Sequence, residues 1–366
     1  MLRRMGVEDR IRELGYRPTD QVRIVSSWGD VVRAGLPAYG KAPARTYVVP
    51  RRELDPLLVR AARDAGATVR EGVRALKAER LADGHLVHAV DADGRPLSFR
   101  ARVVVAADGS RGSFSRTVLP KGCLKPRAVA MRAYMEGVEG LSQDQVFFLD
   151  RYLLPGYGWA FPSGRPGGPV NVGMGLVTSS LRRRPEGLRA LFDWFTGPAS
   201  SAWPHLRRAR LVTEPVSFPL QMNYPQGRRR VGSMLFAGDA ANLVDSLTGE
   251  GIAYALESGQ IAADAIGAFL RSGTESELAT YEATLDATLR REFLCGYLLW
   301  HVLCQEWGNG LMVRLLRRDA RLAQGAMGVL TNSVPIPWLV SSGLWRKLLS
   351  PGLVARVAAR SEPASD

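Results

Sequence analysis

The chain has only three cysteines and four histidines among its 366 residues, and no apolar run of membrane-spanning length. Each shortage removes a class of reading. Cys123, Cys295 and Cys304 are too scattered for a disulfide framework or a thiolate metal site, and they suit a reducing cytoplasm. His85, His88, His205 and His301 stand apart, so neither a catalytic triad nor a metal centre is expected. Without roughly 18 consecutive apolar residues no transmembrane helix is predicted, and Met1–Arg10 lacks the apolar core of a secretory signal. There is no internal repeat, and low complexity is confined to the tail Ser361–Asp366. GxGxxG is missing too, so no complete phosphate-cradling βαβ unit is legible.

What remains is the composition of a globular protein, 46% hydrophobic and 23% charged, with a net charge of +14. No helix-turn-helix, zinc-finger or RNA-binding signature accompanies that charge, so nucleic acid is not the expected partner. The charge concentrates late. Arg290, Arg291, Arg314, Arg317, Arg318, Arg321, Arg346, Lys347, Arg356 and Arg360 face only Glu292, Glu306 and Asp319, and Trp300, Trp307, Trp338 and Trp345 lie among them. Basic residues with interfacial tryptophans predict peripheral docking on anionic lipid at the inner face of the membrane. Plain solvation of basic helices is the alternative.

Residues 4–15 read as a short helix, 22–25 and 46–49 as extended, 51–66 as a helix stopped by Gly66, and 67–75 as a strand. The apolar run at 103–105 suits a strand buried on both faces. From residue 126 to about 216 short strands predominate (128–135, 145–149, 158–162, 170–177), with one helix near 186–195. A buried strand follows at 234–237. The pattern is helical after 275, with interruptions expected at 308–310 and 335–337. The predicted fold is α/β, a Rossmann-like three-layer domain interleaved with an antiparallel sheet and followed by a helical end. Its expected divisions are 1–125, 126–229, 230–272 and 273–366.

Residues 235–259, LFAGDAANLVDSLTGEGIAYALESG, carry the most chemistry. A carboxylate at a strand end, Asp239, is placed to accept hydrogen bonds from a ligand hydroxyl. Gly249 and Gly251 let backbone approach a flat ring, and N–H groups entering the next helix offer positive potential. Upstream, VVVAADGSRGSFSR sets Asp108 and Gly109 at another strand end, with Arg116 to lock the turn or meet phosphate. In GYGWAFP, Tyr157, Trp159 and Phe161 alternate onto one strand face. The small residues of Val170–Gly175 leave space beside them, which suits either a wall for a long apolar ligand or ordinary core.

The first run closely resembles the second flavin fingerprint of FAD-dependent hydroxylases and reductases, and the Asp108 run resembles their ADGxxSxxxR fingerprint. Arg51 falls where such proteins carry VxRxxLDxxL, and GYGWAFP resembles the YxWxFP motif of the geranylgeranyl reductase family, which includes menaquinone reductases. The resemblance runs to about residue 350. It implies that Arg51, Asp108, Gly109 and Arg116 hold the dinucleotide and that Gly238, Asp239, Gly249, Glu250 and Gly251 hold the ribityl chain and ring. Tyr157, Trp159, Phe161 and Pro162 would line a prenyl channel. It further implies FAD as cofactor, NAD(P)H or a ferredoxin-like donor as reductant, and saturation of a C=C bond in a prenyl lipid. The alternatives are an aromatic monooxygenase or halogenase and a flavin-free lipid-binding relative.

Two positions depart from the family pattern. Gly112 stands at the usual serine, and Ser246 at the usual proline of DPLTGEG; that change either loosens the loop or leaves a turn that serine also suits. The opening resembles the segment that follows the family's GxGxxG unit, so a start codon upstream of Met1 is expected rather than a true truncation. Loss of a central parallel strand would leave ladder groups exposed.

Overall fold

The computed structural model describes residues 2–39, 42–224 and 227–341. They fall into two compact units. The first comprises the described residues up to Asp9 with Leu54–Ala128 and Phe218–Phe293; the second comprises Arg10–Glu53, Val129–Ser217 and the described residues from Leu294.

In the first unit, Val104–Ala106 and Met234–Phe236 pair in parallel, with Arg230–Val231 antiparallel on the far side of the latter. Met234, Leu235 and Phe236 are buried and pack with Tyr254, Tyr281, Leu285, Leu289 and Phe293 from the helices Ile252–Ser272 and Ser276–Leu303. The Tyr281 hydroxyl donates to the Phe236 carbonyl at 2.5 Å, which satisfies a buried phenol. A separate antiparallel sheet joins Arg74–Leu81, Gly84–Val90 and Pro96–Ala101.

The second unit is built on an eight-stranded sheet. Its main path runs Arg210–Leu211, Ala128–Glu136, Val170–Val177, Gly156–Pro162, Gln145–Leu149, Gln21–Ser26, Val31–Gly35. One face carries the core: Val146, Phe148, Ala160, Val172 and Met174 are buried against Leu191, Phe192 and Phe195 of the helix Gly187–Phe195. Gln21–Ser26 runs parallel to Gln145–Leu149, with Val22 in register with Gln145, a junction between distant segments that no local pattern announces.

Four expectations are corrected. The strand placed at 67–75 begins only at Arg74, because a tight turn occupies residues 71–72. Residues 46–49 form no strand; Thr46 makes one isolated bridge to Thr19. Val105 is 40% exposed, so its strand is not buried on both faces: it is the edge of its three-stranded sheet. Gly308–Gly310 does not interrupt the late helices but lies inside Glu306–Arg318. A Cβ at Gly308 would come 2.1 Å from the Val302 carbonyl oxygen, so that glycine serves close packing. The described late helices break instead at residues 304–305 and at Asp319, while the interruption expected at 335–337 falls at 331–336. Trp345, Arg346, Lys347, Arg356, Arg360 and the tail lie outside the described residues.

Candidate functional site

The two fingerprints meet because their strands do. Phe236 is in register with Ala106, and Ala237 N–H donates to the Ala106 carbonyl at 3.0 Å, so both Asp-bearing turns leave the same carboxyl edge. Ligands of open α/β sheets sit at that edge. Gly238–Ala241 forms a 3₁₀ turn holding Asp239 half-buried, and Gly238 N–H is fixed by the Ser258 hydroxyl at 3.0 Å.

The loop that follows is organised by Asp245. Its N–H donates to the Glu250 carbonyl (2.9 Å), and its carbonyl accepts Gly249 N–H (3.0 Å). Its Oδ1 accepts Leu247 N–H (2.9 Å), Thr248 N–H (2.7 Å) and the Thr248 hydroxyl (3.0 Å). The carboxyl is wholly buried with Oδ2 unpartnered, and burial pushes its pKa up against the lowering pull of the Thr248 and Leu247 bonds. Gly249 takes φ +71°, a left-handed turn that suits glycine. A Cβ at Gly251 would lie 3.4 Å from Asp239 Oδ1, so glycine there keeps the approach to that carboxylate clear. Glu250 Oε1 accepts Ala253 N–H at 2.9 Å, a carboxylate on the first turn of the helix Ile252–Ser272. The Ser246 hydroxyl reaches the Met222 carbonyl at 3.4 Å, and the Asp245 bonds set the loop's geometry.

At the first fingerprint the Asp108 carboxylate accepts Ser115 N–H at 3.0 Å and the Ser115 hydroxyl. The missing serine is thereby explained. A Cβ at Gly112 would stand 2.1 Å from Asp108 Oδ2, and Ser115 supplies the hydroxyl instead. Arg116 donates to the carbonyls of Leu124 (2.9 Å) and Ser110 (3.3 Å), and so locks the turn. The space where a Cβ would stand on Gly109 is clear to 4 Å. An acceptor carboxylate at one turn, glycine-lined backbone and a helix N-terminus at the other form a donor and acceptor set that fits FAD.

Arg51 counts with the second unit, where its N–H donates to the Tyr134 hydroxyl at 3.2 Å and its side chain is exposed. That unit also carries the aromatic strand. Gly158 and Ala160 point into the core, whereas Tyr157, Trp159 and Phe161 lie half-buried on the opposite face. Phe147 joins them with centroids 5.6 Å from Tyr157 and 5.0 Å from Phe161, and Trp159 and Phe161 stack at 6.2 Å. Trp159 Nε1 donates to Asn171 Oδ1 at 3.2 Å. Tyr157, Trp159 and Phe161 therefore lie outside the core beneath the helix Gly187–Phe195 and pave the sheet's other side, where Phe147 is buried among them. Pro162 falls on the core side of the strand, in register with Val170. Sequence reasoning passed over Asp245, Ser115 and Phe147; only the spacing of Asp245 inside DSLTGEG signalled its part.

Residues 1–133 match the profile of an FAD binding domain. The chain is 30% identical over 267 residues to the menaquinone reductase of Mycobacterium tuberculosis, covering 70% of this chain and 60% of that protein. It therefore spans about three-fifths of that relative's length. With digeranylgeranylglycerophospholipid reductase 1 of Methanopyrus kandleri it shares 30% identity over 305 residues, 79% of this chain and 77% of that one. The structure superposes on the crystal structure of a geranylgeranyl bacteriochlorophyll reductase-like protein of Thermoplasma acidophilum with a TM-score of 0.73 and 20% identity, over 99% of this chain and 84% of the other. The chain belongs to the geranylgeranyl reductase family of FAD-dependent oxidoreductases.

Proposed function

We propose that this chain works with FAD to saturate C=C bonds in the isoprenoid chain of a prenyl lipid. The observation that carries the reading is the row of half-buried rings Tyr157, Trp159 and Phe161, packed about the buried Phe147, which turns away from the sheet's core and offers apolar side chains along one strand. When bound, FAD supplies hydride to the olefin. The chain's own residues would bind and orient: Asp239 accepts a ribityl hydroxyl, the backbone of Gly249 and Gly251 lies against the ring, and Glu250 steadies the helix start. Asp108, Gly109 and Arg116 shape the turn for the dinucleotide, and the aromatic face aligns the prenyl chain and excludes water. NAD(P)H or a ferredoxin-like protein would supply the electrons.

The test is anaerobic incubation of the FAD-reconstituted protein, chemically reduced, with geranylgeranyl lipids and menaquinone, read by mass spectrometry. The expected product gains one hydrogen molecule per double bond, and Asp239→Ala lowers FAD affinity by about tenfold or more. Oxygen-dependent hydroxylation or halogenation of a phenol, with no saturation, would overturn the reading.

The same lipid substrate supports peripheral membrane contact. On the exposed side of the helix Glu306–Arg318, Trp307 (43% exposed) lines up with Arg314 and Arg318, and Leu298 on the preceding helix is 62% exposed. No described helix is long and apolar enough to cross a membrane. Salt-sensitive co-sedimentation with anionic vesicles, weakened by Trp307→Ala, is expected; equal binding to neutral vesicles would refute it.

A further inference from the structure

Two wholly buried amides tie the segment of Asp108 to the loop of Asp239. Gln221 and Asn242 are both 0% exposed. Gln221 Nε2 donates to the Ser110 carbonyl at 3.2 Å, while the Gln221 carbonyl accepts Val244 N–H at 3.4 Å, next to Asp245. Asn242 Nδ2 donates to the Cys123 carbonyl at 3.0 Å, and Asn242 N–H donates to the Asp239 carbonyl at 3.0 Å. Each side chain thus links the second fingerprint's loop to the first fingerprint's segment. The two acceptors lie before and after the short helix Ser115–Val118, and Arg116 on that helix braces the same stretch by donating to the carbonyls of Ser110 and Leu124. One such bond would leave a pivot; two bonds at separate points fix an orientation. Stability alone does not account for the pair. Gln221 Oε1 and Asn242 Oδ1 have no hydrogen-bond partner among the described residues, and an unpartnered buried oxygen offsets most of what the donated bond contributes. Asn242 also holds φ +59°, a left-handed position that glycine takes with less strain. What such buried bonds do supply is one fixed register between the segments that they join.

We propose that Gln221 and Asn242 are positioning residues for FAD: they hold the Asp108 turn and the Asp239–Asp245 loop at one separation and thereby set the affinity for the cofactor. The inference rests on the reading of these two turns as the FAD site. The strand ladder ends where Ala237 N–H meets the Ala106 carbonyl, and beyond it the two amides bridge the turns that follow. A ligand that engages both turns must bring them to the spacing it requires. A chain that holds this spacing beforehand binds more tightly, because less of the binding free energy goes into ordering the turns. Both residues act through the backbone that they fix, without touching the cofactor.

The test is FAD titration of the full chain, followed by flavin fluorescence, alongside amide hydrogen exchange of the FAD-free protein. Gln221→Met keeps the side chain's length and removes the donor. Asn242→Gly removes the amide and leaves a residue suited to φ +59°. Each is expected to weaken FAD affinity about three- to tenfold. Exchange should quicken in residues 108–112 of Gln221→Met and in residues 120–125 of Asn242→Gly, in each case on the segment across from the substitution. Leu289→Val loosens the core of the same unit away from both amides. Its FAD affinity should match wild type, because a loss of stability leaves the binding constant unchanged while the chain stays folded. Where Gln221→Met does not fold, the two readouts of Asn242→Gly decide. Wild-type affinity in a folded variant, or exchange that quickens equally throughout the unit, overturns the positioning role while the FAD site stands. A wild-type chain that takes up no FAD would instead overturn the function proposed above, and this inference with it.

Discussion

Replacing Asp245 by alanine probes the loop that the flavin fingerprint depends on. Three donors converge on its Oδ1, the N–H groups of Leu247 and Thr248 and the Thr248 hydroxyl, and the carboxyl is 0% exposed. Each buried donor left without an acceptor costs about 1 kcal/mol, so Asp245→Ala should destabilise the fold by about 3 kcal/mol. Asp245→Asn keeps a carbonyl oxygen at the Oδ1 position but buries an amide where Oδ2 has no partner, so its cost should be up to about 2 kcal/mol, less than that of alanine. The pair also separates charge from shape. Burial raises the carboxyl pKa, so the folded chain holds this proton more tightly than the unfolded one. The group's contribution is complete below the unfolded value of about 4 and is lost as pH climbs through the raised folded value. Urea unfolding at rising pH from about 4 should show wild-type stability declining through this group, and Asp245→Asn should remove that component. An alanine variant with the wild-type midpoint, or an asparagine variant with an unchanged pH slope, would refute the reasoning.

Three other substitutions follow from the same geometry. Gly173→Leu places a Cβ 2.3 Å from Trp159 Cζ2 and 2.7 Å from the Met131 carbonyl; a loss of about 1–3 kcal/mol and a shifted tryptophan spectrum are expected, and an unchanged melting midpoint would count against the packing described. Gly112→Ser restores the family's usual residue, yet it should displace Asp108 from Ser115 and weaken FAD binding in a flavin titration; affinity equal to wild type would contradict this. Asp144 is 1% exposed. Burial pulls its carboxyl pKa up, but the bonds from Arg33 (2.9 Å) and Arg23 outweigh that and hold it below the usual range. Its stabilisation is therefore present above the unfolded value and lost as pH falls through the folded one. Since Arg33 is half-exposed, Asp144→Asn should cost about 2–3 kcal/mol at neutral pH and flatten the acid limb of an unfolding profile; an intact acid limb would exclude the assignment.

Much of the secondary structure was legible because it rests on local periodicity. Gln145–Leu149 and Val170–Val177 fall where alternation and small-residue patterning predict them, and Gly187–Phe195 starts one residue late. The failures share a cause. Gly308 reads as a breaker until the backbone of Val302 is seen against it, and the run before Asp108 reads as doubly buried although its strand is a sheet edge. A glycine's purpose and a strand's second face are set by what packs there, and residue order does not report that.

Residue order by itself determined the family, since the GD…DSLTGEG and ADG runs are chemistry written in consecutive positions, where each spacing is a backbone distance. Tertiary structure alone decided how those residues are used. Arg116 turns inward to the carbonyls of Leu124 and Ser110, Ser115 replaces the serine absent at position 112, and Asp245 supports the loop from beneath. It also decided that Tyr157, Trp159 and Phe161 pave a surface rather than fill the core. Alternation places three rings on one side of a strand, but which side receives the helix Gly187–Phe195 depends on contacts between distant segments.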